Sequence, residues 1–137
     1  WHGPGQLVGY PIVRLEGREE RDVHRLLREI EGSLGDALRE VAGLEADPHR
    51  DDTPTGLWVR GKKLASIGIA VKRWVTLHGF ALNLDNDLAR FRLFRPCDLG
   101  PEVMGSLDSL GAPRPREVVL DAIHRALARR LGRSPGV

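Results

Sequence analysis

The chain has 137 residues, of which 41% are hydrophobic and 29% charged, as in an ordinary globular domain with a core of its own. Its net charge of +2 is too small to indicate nucleic-acid binding, because the basic residues are interleaved with nineteen acidic ones. Every apolar run is interrupted well before the ~20 residues that cross a bilayer, and no targeting segment is recognisable.

The first thirteen residues are rich in glycine and proline and lead into apolar residues, which predicts a shaped loop feeding a strand. The glycines would let backbone N–H groups approach a ligand. Their spacing matches neither a phosphate-binding loop nor a dinucleotide fingerprint, so a tight turn is the simpler interpretation. The chain begins at Trp1 rather than at a methionine. We therefore expect the natural protein to continue upstream.

Two amphipathic helices are predicted from apolar residues at three- and four-residue spacing, over residues 18–43 and 115–131. Acidic residues near the start of the first helix suit the positive end of its dipole, and Gly43 is suited to its C-terminal cap. Gly32 and Gly35 predict a bend in its middle, since each costs about 1 kcal/mol relative to alanine.

Residues 46–56 form a polar, proline-bearing segment before a short strand at residues 57–59. His49, Asp51 and Asp52 could suggest a metal site, but no second ligand pair stands at a recognised spacing, and a solvated loop is the better interpretation. Gly61 and Lys62 are predicted to form the next turn, which makes Lys63 the first residue of a long strand.

Residues 61–84 read as two strands joined by a turn at residues 72–74, and each strand alternates small with bulky side chains. The small residues of one face are Ser66, Gly68, Ala70, Gly79, Ala81 and Asn83. Paired side by side, the strands would form a trough floored by glycine and alanine, which indicates a slot for a slender ligand. A tight contact with a packed helix is the alternative explanation of the same pattern.

After the second strand, DNDL predicts a turn and residues 90–97 a short extended piece that ends at Cys97. One cysteine excludes an internal disulfide framework and fits a reducing cytosol. A lone cysteine is usually a small buried hydrophobe. Its place in a loop between Pro96 and Gly100 favours a displayed thiol instead, and both interpretations remain open at this point.

Five blocks of sequence together resemble the octanoyl (lipoyl) transferases. They are HGPGQLVGYP at 2–11, TGLWV at 55–59, KKLASIG at 62–68, HGFALN at 78–83 and RPC at 95–97. The resemblance implies an α+β fold, with a mixed or antiparallel β-sheet packed by amphipathic helices, like the catalytic domains of biotin and lipoate protein ligases. It also implies that residues 1–137 form one octanoyltransferase catalytic domain that lacks its N-terminal segment, including an Arg-Gly-Gly motif.

The reaction implied by the resemblance moves an octanoyl group from acyl carrier protein to a lysine of lipoyl domains. The acceptors would be the lipoyl domains of 2-oxoacid dehydrogenases and the glycine cleavage H protein. No cofactor, metal, nucleic acid or membrane is implied. Two alternatives belong to other classes: an ATP-dependent lipoate ligase, which forms an adenylate and has no need of a cysteine, and a non-catalytic module that binds carrier proteins.

Matching the motifs residue by residue, the resemblance implies that Cys97 is the nucleophile. It also implies that Lys63 is the lysine that lowers the pKa of this thiol. The implied substrate-binding residues are His2, Ser66, Ile67, Gly68, Gly79, Phe80 and Ala81. A nearby ammonium favours the thiolate, which is the nucleophilic form, and the lysine would later act as a base on the incoming amine. Two features depart from the family's pattern: Asp98 follows the cysteine where glycine is usual, and residues 103–107 match the next segment only loosely.

Overall fold

The structure, a computed structural model, describes residues 1–17, 22–93 and 100–133. In these ranges the strands and α-helices are β1 Gln6–Gly9, α1 Val23–Ala42, β2 Gly56–Val59, β3 Lys62–Lys72, β4 Val75–Asn83 and α2 Arg116–Leu131. The four strands form one antiparallel sheet in the order β1-β4-β3-β2. The predicted α+β class is confirmed. Within the described part of the chain, no helix is long and apolar enough to cross a membrane.

The long hairpin predicted from alternation is present as β3 and β4. Eight residue pairs are in register, from Ala65 opposite Leu82 to Lys72 opposite Val75. Arg73 and Trp74 form the turn with positive φ angles of 52° and 62°. Such angles match the right-handed twist of the two strands.

Helix α1 begins later than predicted. Asp22 has an extended backbone, and its carboxylate accepts a hydrogen bond from the backbone N–H of Arg25, so the helix starts at Val23. At the other end Gly43 adopts the left-handed conformation of a C-terminal cap, as predicted. The predicted bend is absent, because Val23–Ala42 is one helix. A Cβ at Gly32 would lie 2.5 Å from the guanidinium of Arg130, so the glycine lets this side chain lie against α1 in its present position.

Helix α2 spans Arg116–Leu131, close to the prediction, and packs against α1. Arg130 donates to Asp36 at 2.8 Å and to Glu29 at 3.3 Å across the two helices. The hydrogen bond from Arg130 lowers the pKa of Asp36 below its usual value, against a smaller opposing effect of burial. The same pairing raises the pKa of Arg130.

The turn between β2 and β3 lies one residue earlier than predicted. Arg60 and Gly61 occupy it with φ angles of 52° and 72°, and β3 starts at Lys62 rather than at Lys63. The carboxylate of Asp47 accepts both turn N–H groups, from Arg60 at 2.9 Å and from Gly61 at 2.7 Å. This side chain, distant in sequence, holds the turn at its position.

Two segments predicted to be extended differ from the prediction where the structure describes them. Leu88–Leu93 is a 3₁₀ helix, so the strand-like RFRL pattern was misleading; Asp87 starts this helix by accepting from the backbone N–H of Ala89. The first strand ends at Gly9, and Tyr10 and Ile12 are exposed. Beyond it, the buried hydroxyl of Thr76 donates to the Pro11 carbonyl and accepts from the Val13 N–H.

The helices cover one face of the sheet. Buried side chains of both helices and of all four strands form one core; they include Leu26, Ile30, Leu34, Leu38, Val119, Ile123, Leu7, Leu57, Ile67, Phe80 and Leu82. By the two-residue alternation of strands, Ser66, Gly68 and Ala81 lie on the opposite face. The small-residue face is therefore turned away from the helices.

Candidate functional site

A register shift between β2 and β3 determines where Lys63 points. Leu57 lies opposite Ala65, but the next residue, Trp58, lies opposite Lys63, so one residue of β3 has no partner. Gly56 lies opposite Ser66. Because Gly56 and Trp58 share a face of β2, Lys63 and Ser66 share a face of the sheet, although strict alternation would separate them. The bulge brings the lysine to the small-residue face.

The side chain of Lys63 is buried, with 1% of the residue exposed. Its Nζ lies 5.9 Å from the centre of the Trp58 ring, within reach of a cation–π interaction. The indole of Trp58 is in turn held by a hydrogen bond to the carbonyl of Pro54. A Cβ at Gly56 would lie 2.8 Å from Cε of Lys63, so glycine leaves the space that the lysine occupies.

A groove of about 710 Å³ runs along the small-residue face. Its described lining comprises Trp1, His2, Gln6, Tyr10, Ser66, Ile67, Gly68, Ile69, Ala70, His78, Gly79, Phe80, Ala81, Asn83, Phe91 and Met104. All seven residues expected to bind substrate are among them. Lys63 lies just beyond one end, since its backbone forms a bridge with Met104. Cys97 and Asp98 lie outside the described residues.

The two glycines of the groove have different surroundings. A Cβ at Gly68 would meet nothing within 4 Å, whereas a Cβ at Gly79 would lie 1.9 Å from the carbonyl oxygen of Gly9 in β1. Gly68 therefore leaves open space above the strand. Gly79 is explained by tight packing, against a neighbouring strand rather than against the helix considered above.

Phe80 and Ile67 line the groove floor with their backbone, because their side chains point away from the groove. Both side chains belong to the core on the helix side, and the Phe80 ring lies where a Cβ of Gly9 would be. His78 is a further residue of the groove, with a φ angle of 67°. A non-glycine residue in this conformation is strained, and such strain is concentrated at functional sites.

Sequence reasoning missed the aromatic wall of the groove. Trp1 and Phe91 pack edge to face, with ring centres 5.4 Å apart and an angle of 76° between the planes. Trp1 directly precedes one recognised block, but nothing in the sequence pairs it with Phe91. The contact depends on the 3₁₀ helix that was predicted to be extended.

Residues 100–105 lie against the start of β3. Lys62 Nζ donates to the carbonyl of Glu102, and the N–H of Gly105 donates to the carbonyl of Lys63 at 3.0 Å. The described residues 100–105 therefore lie beside both lysines. In the described ranges, no cluster of three or more His, Cys, Asp or Glu side chains is placed to hold a metal ion. His49 instead contacts Asp51 and Arg28 at the surface.

The fold is that of the lipoate and biotin protein ligases. A lipoate-protein ligase A bound with ATP superposes with a TM-score of 0.80 at 19% identity, covering 97% of this chain and 55% of that chain. The biotin protein ligase of Aquifex aeolicus superposes with a TM-score of 0.69 at 17% identity, covering 93% of this chain and 53% of that chain.

Residues 1–131 match the family described as lipoyl protein ligase A/B catalytic domain, and the chain belongs to this family. The octanoyltransferase of Geobacter metallireducens is 48% identical over 130 residues, which are 95% of this chain and 58% of the relative. The octanoyltransferase of Synechococcus elongatus is 44% identical over 128 residues, which are 93% of this chain and 53% of the relative. The octanoyltransferase of Geobacter sulfurreducens is 56% identical over 99 residues, which are 72% of this chain and 40% of the relative. The chain thus spans about half the length of these curated relatives.

Proposed function

We propose that this chain carries the acyl-binding groove and the reactive groups of an octanoyltransferase. The donor would be octanoyl-acyl carrier protein, and the acceptors would be lysines of the lipoyl domains of 2-oxoacid dehydrogenases and of the glycine cleavage H protein. The observation that carries the proposal is the open groove over Gly68, with the buried Lys63 just beyond its end. The relatives named octanoyltransferase support the choice of acyl group.

In the proposed reaction, the Cys97 thiolate attacks the donor's thioester carbonyl. A new sulfur–carbon bond forms, the bond to the carrier's sulfur breaks, and the carrier leaves as a thiol after taking a proton from the Lys63 ammonium, which becomes the neutral amine. The acceptor lysine then attacks the Cys97 thioester; an amide forms and the Cys97 thiolate is released. Lys63 supplies positive charge for the thiolate in the first step and takes a proton from the attacking amine in the second.

The burial of Lys63 suits this dual role. Without bulk water around it, the charge of its ammonium is screened little, and protons pass between this side chain and the reacting groups rather than to solvent. The groove suits the acyl chain, since its middle is floored by glycine and alanine backbone and walled by Trp1 and Phe91. A cytosolic location belongs to the same proposal, because a catalytic free thiol needs a reducing compartment.

The test is intact-mass analysis after incubation with octanoyl-acyl carrier protein in the absence of ATP. The expected result is the mass of one added octanoyl group, released by hydroxylamine and absent from Cys97→Ser. Transfer to a purified lipoyl domain should follow, again without ATP. Acyl transfer that requires ATP and survives Cys97→Ser would instead identify an adenylate-forming ligase.

A further inference from the structure

Gln6 and Asn83 are buried amides in the recognised sequence blocks to which no role has been assigned. They lie directly opposite each other in β1 and β4, and both line the groove. Only 6% of Gln6 and 1% of Asn83 is exposed. Buried amides are costly unless all their hydrogen-bonding groups are used, so their partners are informative.

The two side chains form one continuous line of hydrogen bonds across the end of the groove. The N–H of Gly3 donates to Gln6 Oε1 at 3.1 Å, and Gln6 Nε2 donates to Asn83 Oδ1 at 2.9 Å. Asn83 Nδ2 donates to the carbonyl of Gly105 at 2.9 Å, and the N–H of Gly105 donates to the carbonyl of Lys63 at 3.0 Å. This amide relay connects the loop that carries His2 with the backbone of Lys63.

The direction of the amide relay is fixed by its backbone ends. Gly3 offers only an N–H at one end and Gly105 only a carbonyl at the other, so each amide must accept on one side and donate on the other. A carboxylate at either position cannot do both. The sequence requirement is therefore for two amides, and not merely for two polar residues.

We propose that Asn83, supported by Gln6, is a positioning residue for the reaction: it holds Gly105, and through it Lys63, in the geometry that activates the thiol. This inference rests on the proposed roles of Lys63 and Cys97. Asn83 would act through the backbone of its neighbours without touching the reacting atoms. Its loss should therefore disturb the activation of the thiol and leave the groove floor at Gly68 intact.

The experiment is the pH dependence of the alkylation rate of Cys97 by iodoacetamide, which is clean because the chain has a single cysteine. Lys63→Gln provides the reference and should move the midpoint to higher pH, since removing a nearby positive charge disfavours the thiolate. Asn83→Leu should move the pH midpoint of alkylation in the same direction by about one unit. At a fixed pH below the midpoint, this shift lowers the thiolate fraction roughly tenfold. The double variant should show no further shift than Lys63→Gln.

Gln6→Met is the second variant, since it keeps the length of the side chain without adding a charge but cannot donate to Asn83, and it should reproduce the shift. Thr76→Val is the matched control: it removes a buried hydroxyl that bridges Pro11 and Val13 in the same sheet, outside the relay. It should lower the melting temperature without moving the midpoint. Circular dichroism establishes that each variant is folded at the assay temperature.

The outcomes distinguish failure of the positioning role of Asn83 from failure of the proposed role of Lys63. A shift for Lys63→Gln with none for folded Gln6→Met and Asn83→Leu would overturn the positioning role alone. A shift for Asn83→Leu that adds fully to that of Lys63→Gln would also overturn it, because the two residues would act independently. No shift for Lys63→Gln would overturn the proposed role of Lys63 and, with it, the purpose of the relay.

Discussion

Gly68 and Gly79 lie opposite each other on β3 and β4, yet only one of them is required by the packing of the protein itself. A Cβ at Gly79 would overlap the carbonyl oxygen of Gly9, at 1.9 Å, while a Cβ at Gly68 would extend into open groove. Packing against β1 therefore accounts for glycine at position 79, whereas at position 68 room for a ligand remains the proposed reason.

This difference predicts opposite outcomes for two similar substitutions. Gly68→Val should fold at least as well as the unmodified protein, because glycine within a strand costs roughly 0.5–1 kcal/mol relative to alanine. It should bind octanoate at least tenfold more weakly, since the side chain fills the acyl path (about 1.4 kcal/mol per tenfold). Calorimetric titration with octanoate and thermal melting measure the two effects.

Gly79→Ala is the control for that experiment. The overlap with Gly9 must displace β1, so its melting temperature should fall, with a loss on the order of 2–4 kcal/mol typical of overpacking and backbone strain. Unchanged octanoate affinity in a folded Gly68→Val protein would show that the acyl chain does not lie over this strand.

The parts of the fold that follow from local pattern were predictable. The β3–β4 hairpin is specified by alternation within two adjacent strands, and α2 by its own apolar spacing. The position of Lys63 on the small-residue face could not be predicted from the sequence, because it depends on a bulge that forms only when β2 pairs with β3. The turn at Arg60 and Gly61 similarly depends on Asp47, thirteen residues from Arg60.

The candidate site shows the same division between local and distant determinants. The two strands that line the groove were predicted from small residues at a period of two. The bond between Gln6 and Asn83 joins residues 77 positions apart, and no spacing rule predicts it. Residues 90–93 were misjudged because alternating RFRL imitates a strand, while the Asp87 cap that starts the 3₁₀ helix is a weaker signal.

The Asp36–Arg130 ion pair predicts a specific dependence of stability on pH. Because the pKa of Asp36 is lowered in the folded protein, the pair stabilises the fold above the unfolded-state pKa of about 3.9, and this contribution is lost as the pH falls through the folded-state value. Asp36→Asn should therefore cost about 1 kcal/mol or less near neutral pH, since both side chains are partly exposed.

Melting temperatures measured from pH 7 to pH 3 would check this dependence. The curves of Asp36→Asn and the unmodified protein should differ by a few degrees at pH 7 and converge toward pH 3. Asp121→Asn, at an exposed position of α2, is the control and should leave the curve unchanged. A constant difference between Asp36→Asn and the unmodified protein over the whole range would contradict the linkage.

The adjacent lysines at the start of β3 predict a contrast between two conservative substitutions. Lys63→Arg keeps a positive charge but cannot supply a neutral amine, and its larger planar head must fit the buried space beside Trp58 and Gly56. Octanoylation of Cys97 should therefore persist in part. Transfer to the acceptor lysine should fall on the order of 100-fold or more, as expected for the loss of a general base.

Lys62→Arg is the matched comparison, because the side chain of Lys62 donates to the carbonyl of Glu102 and an arginine can do the same. Both steps should stay within about threefold of the unmodified rates, whereas Lys62→Ala should slow them modestly by releasing residues 100–105 from β3 (a lost hydrogen bond is worth about 1 kcal/mol). The two steps can be followed separately by intact mass: acyl-enzyme formation with the donor alone, and its decay when a lipoyl domain is added. Equal losses from Lys63→Arg and Lys62→Arg, in either step, would show that the buried Lys63 has no chemical role that Lys62 lacks.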